Sequence, residues 1–162
     1  RSRCPVVVVP DQVSHGRGVV VGVGGVPSSR TTLEFAFHTA SWLGEPLTVV
    51  HCYEEAERMS GHALASPPHS DLAEERLLVA ETLAGLRAGY PEVAVRVRLE
   101  RGLPEDVLGD LAHDAALVVV GGTRHRFVTD LVIGSVARSL LARVACPVAV
   151  VPRPRPEQPT SC

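Results

Sequence analysis

Residues 116–122 read ALVVVGG, and residues 134–152 read GSVARSLLARVACPVAVVP. The first is a short β-branched run closed by two glycines, the pattern of a strand buried on both faces. The second opens on Gly134-Ser135, continues as a helix over 134–145 and ends in a Val-rich strand at 147–151. A Gly-Ser pair at a helix start sets bare backbone N–H groups and a hydroxyl at the positive end of the helix dipole, which suits a phosphate.

The same alternation extends upstream. GVVVGV (18–23) is a buried strand, followed by the turn GGVPSS and a helix with Leu33, Ala36, Phe37, Ala40 and Leu43 on one face. Ser28 or Ser29 can cap that helix and Gly44 can end it. LTVVHCY (47–53) is a second strand, 54–69 reads as a loop, and a helix runs from about Asp71 to Ala88 with Leu72, Leu77, Leu78, Ala80, Leu83 and Leu86 as its apolar set. VAVRVRLERG (93–102) alternates Val with Arg, as an edge strand with one exposed face does. LPEDVLGDLAHDA is a short helix with Pro104 in its first turn and Glu105 and Asp106 suiting its dipole.

Strands alternating with helices predict an α/β fold with a parallel sheet and helices on both faces. With the five strands in order 3-2-1-4-5, the loops after strands one and four meet at the switch point, where such sheets hold ligands.

Composition narrows the chemistry. The net charge of −2 argues against a general affinity for nucleic acid or anionic membrane, and no apolar run is long enough to span a bilayer. All 16 basic residues are arginine, so no Walker A, Schiff-base or general-base lysine is available. The four cysteines (Cys4, Cys52, Cys146, Cys162) show no disulfide or metal framework, which fits a reducing cytoplasm.

GVGGVP (22–27) begins like a dinucleotide loop, but Pro27 stands where the last glycine belongs. Glu54 and Glu55 are the acids near the end of strand two, and the glycines also suit a plain tight turn. The loop after strand four carries Gly121, Gly122, Gly134 and Ser135. Here the chain resembles the universal stress protein family, whose signature is G-x2-G-x9-G-(S/T) before the last helix. This sequence reads Gly121-x2-Arg124-x9-Gly134-Ser135. VVVGVGGVPSS, LTVVHCY and ACPVAVVP are also similar to the family's first, second and closing strands, so the resemblance runs over 18–152.

The resemblance implies an adenine-nucleotide alpha hydrolase-like fold and, in the members with an intact loop, ATP or AMP bound with Mg²⁺. Carried onto this sequence, Gly121, Gly122, Gly134, Ser135 and Val136 match the phosphate cradle, Cys52 the adenine end, and Val23 and Gly24 the ribose end. Two departures weaken it. Gly24 stands where nucleotide-binding members carry Asp, and Arg124 replaces the second loop glycine. Arg124, His125 and Arg126 can contact an anion directly or form a solvated basic loop.

Other candidates reduce to structure. Ser135 lacks a nucleophile elbow and reads as a helix N-cap. His51 and Cys52 point to opposite faces of their strand and cannot chelate together. Arg96 and Arg98 read as a guard against edge pairing. His62, His69 and His113 read as solvated surface.

The chain also echoes itself: CPVVVVP (4–10) matches CPVAVVP (146–152) except for Val7 against Ala149. The family's closing strand serves dimer contact and many members are tandem. Residues 1–10 are therefore expected to be the remnant last strand of a preceding domain, 11–17 a linker, 18–152 the domain, and 153–162 a proline-rich tail. Strand 5–9 should pair with strand 147–151, within the chain or between copies, as a homodimer or tandem pairing. The expected function is a cytoplasmic, non-catalytic or weakly ATP-hydrolysing stress-response module. The rivals are a nucleotide- or dinucleotide-dependent enzyme using GVGGVP, and an interaction module with a vestigial cleft.

Overall fold

The computed structural model describes residues 4–13, 15–24, 30–53, 71–122 and 134–152. In chain order these form β1 (Val6–Val8), β2 (Val19–Val23), α1 (Arg30–Leu43), β3 (Leu47–Tyr53), α2 (Asp71–Gly89), β4 (Val95–Arg101), α3 (Pro104–Ala112), β5 (Leu117–Gly121), α4 (Ser135–Arg143) and β6 (Val148–Val151). One six-stranded sheet has the order β1-β6-β5-β2-β3-β4. The strands β2 to β6 are parallel to one another. Numbered among themselves, those five run 3-2-1-4-5. The sheet as a whole is mixed, because β1 adds antiparallel to β6.

The Val-rich runs sit where their composition requires. β5 and β6 lie inside the sheet and are buried almost throughout. Successive side chains feed two separate cores. Val21, Val49, Val119 and Ala149 meet α1 and α2 on one face. Val20, Val50, Val118 and Val150 meet α3 and α4 on the other. Phe37, Leu33, Leu47, Leu83, Leu108 and Leu140 are the largest fully buried side chains among the described residues. Each stabilises the fold by roughly 1.5–3 kcal/mol through the apolar area it removes from water.

Gly44 ends α1 in the left-handed region, at φ 66°, and its N–H bonds back to Ser41 O at 3.1 Å. Gly22 is dictated by packing: a Cβ there would lie 2.7 Å from Leu108 Cδ1 of α3. The helix phases differ from expectation at two leucines. Leu43 is 43% exposed and Leu77 60% exposed, while Val79 takes the core position in α2 one turn before Leu83. A window rich in leucine leaves the phase of a helix ambiguous, and the sheet selects the stripe that faces it. The helix expected over 134–145 is also shorter, because Val144 is already extended at φ −101° and ψ 146°.

β1 pairs Val6 with Val150, Val7 with Ala149 and Val8 with Val148. It closes the β6 edge within the chain but leaves its own valines open, Val7 being 46% exposed.

Candidate functional site

β2 is flanked by β3 on one side and β5 on the other, so the connections diverge at its carboxyl end. The registers set Gly22 beside Val120 and Val23 beside His51, which brings Gly24, Gly121 and the end of β3 to one rim. Crevices at such switch points take ligands because two loops part there and leave strand ends open.

Gly24 is exposed, and a Cβ built on it meets nothing within 4 Å. Val23 is a core residue whose side chain joins the α1 and α2 layer. Its carbonyl lies 3.2 Å from His51 Nδ1, and the His51 ring is only 8% exposed. That contact ties the end of β2 to the end of β3 and fixes the rim beneath Gly24. The expected structural role of His51 is this tie, directly under the site.

At the end of β5, a Cβ on Gly121 would stand 3.1 Å from Thr32 Oγ1. Thr32 lies in the first turn of α1 and is buried. Motif spacing gave no sign of it; a buried hydroxyl facing a loop glycine is legible only in three dimensions. Gly122 is buried and its N–H donates to Val151 O at 2.8 Å, so that N–H is already engaged by the sheet.

The N-terminus of α4 supplies donors. Gly134 is the N-cap, extended at φ −63° and ψ 165°, with no side-chain cap bond. Ser135 is thus the first helical residue and exposed, a correction to its expected role as cap. The helical ladder starts with Arg138 N–H on Gly134 O at 3.0 Å. The N–H groups of Ser135, Val136 and Ala137 therefore have no acceptor in the ladder, and the N-cap glycine itself offers no side chain to the positive end of the helix dipole. Arg143 suits the opposite end of the dipole and bonds Asp106 Oδ1 at 3.2 Å and Glu105 O at 3.0 Å, joining α4 to α3.

Cys52 is half-buried at the far side of the rim, and its thiol is pushed up to about 11 by burial first, then by Glu100 and Glu105. At physiological pH that keeps it a neutral thiol. Arg124, with the rest of the basic loop, lies outside the described residues, as do Ser28, Ser29, His62 and His69. Among the described residues no group of three or more His, Cys, Asp or Glu is gathered as a metal-ligand set. The residues present fit a phosphate group better than a directly ligated cation.

A model of the universal stress protein family matches residues 17–152. The chain belongs to the universal stress protein family. A universal stress protein of Mycolicibacterium smegmatis is 36% identical over 160 residues, covering 93% of this chain and 52% of that protein. The chain spans about half the length of the curated relatives it matches. Among solved structures, the universal stress protein from Archaeoglobus fulgidus in complex with dAMP superposes with TM-score 0.58 at 24% identity, covering 85% of this chain and 98% of that one. A universal stress protein in complex with cAMP gives TM-score 0.62 at 24% identity, with coverage of 85% and 98%. At that identity the superposition establishes the shared fold. In this universal stress domain, Gly24, Gly121 and the end of β3 lie at the rim where β2 and β5 part, and α4 is the helix that follows β5.

Proposed function

We propose that this universal stress domain is a non-catalytic, nucleotide-responsive stress-response module of the cytoplasm that acts by pairing with another domain of its kind. The observation that carries the nucleotide reading is the α4 N-terminus that begins on a glycine N-cap, with Gly121 and Gly24 at the rim of the same switch point. Uncapped N–H donors and a helix dipole favour a phosphate, and the open space at Gly24 leaves room for a sugar. The structures of family members with dAMP and with cAMP support an adenine nucleotide as the ligand class. Gly24 supplies no carboxylate for ribose or Mg²⁺, so the reading is of weak ATP or AMP occupancy with hydrolysis slight or absent.

Pairing is read from β1. Residues 1–10 serve as the last strand of a preceding domain, 11–17 as its linker, 18–152 as this domain and 153–162 as a tail. Support comes from the register: Val7 lies opposite Ala149, the position it matches in the CPVVVVP and CPVAVVP echo. β1 therefore pairs with β6 as a second, antiparallel copy of β6 would.

Calorimetric titration with ATP, AMP and NAD, each with and without Mg²⁺, tests the nucleotide reading. Saturable adenine-nucleotide binding without turnover is expected. Silence toward all three favours the interaction module, and tight NAD binding would overturn the reading in favour of a dinucleotide enzyme.

A further inference from the structure

The sheet edge opposite β1 carries a surface that the nucleotide cleft does not use. β4 is last in the strand order. Leu47 N–H donates to Ala94 O at 2.9 Å and Gly102 N–H donates to Tyr53 O at 3.2 Å. Backbone groups alternate sides along a strand, so even-numbered residues of β4 face β3 and Val95, Val97 and Leu99 turn their N–H and C=O outward. Among the described residues no strand meets that row.

Beside it runs a groove of about 440 Å³ between α2 and β4. Val79 and Leu83 lie deepest, Ala80 and Ala84 keep the helix wall low, and Val97 and Leu99 form the strand wall. Val97 is 41% exposed, an uncovered valine on a sheet edge. Arg76 and Arg87 mark the two ends of the groove. Eleven helical residues separate them, about 16 Å, which is the length of roughly five extended residues. The other face of β4 carries Arg96, exposed, and Arg98, which pairs with Glu100 at 2.6 Å. This edge is basic in a chain of net charge −2.

We propose that the β4 edge is a docking site for an extended acidic segment of a partner protein, which adds as a strand beside β4. Its outward main chain bonds the Val95, Val97 and Leu99 row, alternate apolar side chains enter the groove under α2, the carboxylates between them face Arg96 across the sheet, and an acidic residue at each end of the segment meets Arg76 or Arg87. Arginines on an edge deter indiscriminate pairing. The same arginines reject basic and neutral strands while admitting an acidic one, which turns a guard into a filter. A small amphipathic anion would fill the groove but leave the backbone row without partners, so the strand is the better fit.

The test uses two fluorescein-labelled seven-residue peptides, one of sequence EEVEVEE, whose two end residues share the face of the valines, and one of sequence KKVKVKK, titrated against the intact chain by anisotropy. The acidic peptide should bind at least tenfold more tightly than the basic one and weaken in 0.5 M salt. Val97→Glu and the pair Arg76→Glu, Arg87→Glu, all at exposed positions, should each lower its affinity at least tenfold with the thermal midpoint retained. Hydrogen exchange at the Val95, Val97 and Leu99 amides should slow on binding. Equal affinity for both peptides, no binding, or displacement by dodecanoate with no slowing at those amides would each overturn the proposal. Nucleotide affinity is read separately, so a failure here leaves the cleft reading intact.

Discussion

Gly24→Asp should restore affinity for a ribose. The position accepts a side chain, since a Cβ there meets nothing within 4 Å and Gly24 is not among the positive-φ glycines. The carboxylate would stand at the end of β2, on the rim held by His51 through Val23 O. A hydrogen bond to a charged acceptor contributes about 1.5–3 kcal/mol when buried; at this exposed rim about 1.4 kcal/mol is the fitting figure, roughly a tenfold gain. The sign depends on the ligand. Adenosine should gain that factor with or without Mg²⁺. ATP should gain only with Mg²⁺, because a bare carboxylate repels the phosphates until a cation lies between them. Calorimetry across the four conditions reads both effects, and the thermal midpoint should stay within a degree or two. Unchanged adenosine affinity would refute the placement of the ribose at Gly24. A gain for ATP without Mg²⁺ would refute the electrostatic part.

Three further outcomes follow from the same geometry. Gly134→Asp should abolish phosphate binding through like charge, with the thermal midpoint read alongside because Gly134 is buried; equal ATP affinity by calorimetry would show that the phosphates lie elsewhere. Stability should fall as pH rises from about 9 toward 11, because unfolded Cys52 loses its proton near 9.0 while the folded thiol holds it to about 11. Cys146, raised chiefly by burial against two opposing hydrogen bonds, adds to the same slope, and Cys52→Ser should flatten it in urea melts across that range. Removing residues 1–10 should uncover the buried β6 edge and raise the mass by light scattering above that of the full chain's assembly state; an unchanged assembly state would show that β1 does not guard that edge.

What the sequence could reveal follows from how local each determinant is. The strands β2, β5 and β6 were legible because a run of valines with no polar alternation can be satisfied only between two layers. Gly134 and Ser135 were legible as a helix start because the chemistry of a helix N-terminus lies within the segment itself. The phase of α2 was not, since Leu77 and Val79 are equally apolar and only the sheet beneath distinguishes them. Thr32 was invisible for the same reason: its place against Gly121 depends on α1 crossing the end of β5, far away in sequence. His51 was legible as a strand residue but not as the support of the site, because its partner, Val23 O, is a backbone atom that no pattern of side chains marks.

The echo of CPVVVVP in CPVAVVP belongs to an intermediate class. Two matching segments do not say whether they compete for one partner or pair with each other. The register decides. Placing Val7 on Ala149, with Val6 on Val150 and Val8 on Val148, makes each strand the image of the other about that central pair. Self-complementary pairing of this kind is what a two-fold axis between like domains requires, since whatever one strand offers its copy must accept. A Val-rich arm attached for burial alone would have no reason to centre on Ala149, and a slip by one residue would reverse which valines face which core. The symmetry of the register is therefore the observation that supports reading β1 as a stand-in for a second β6.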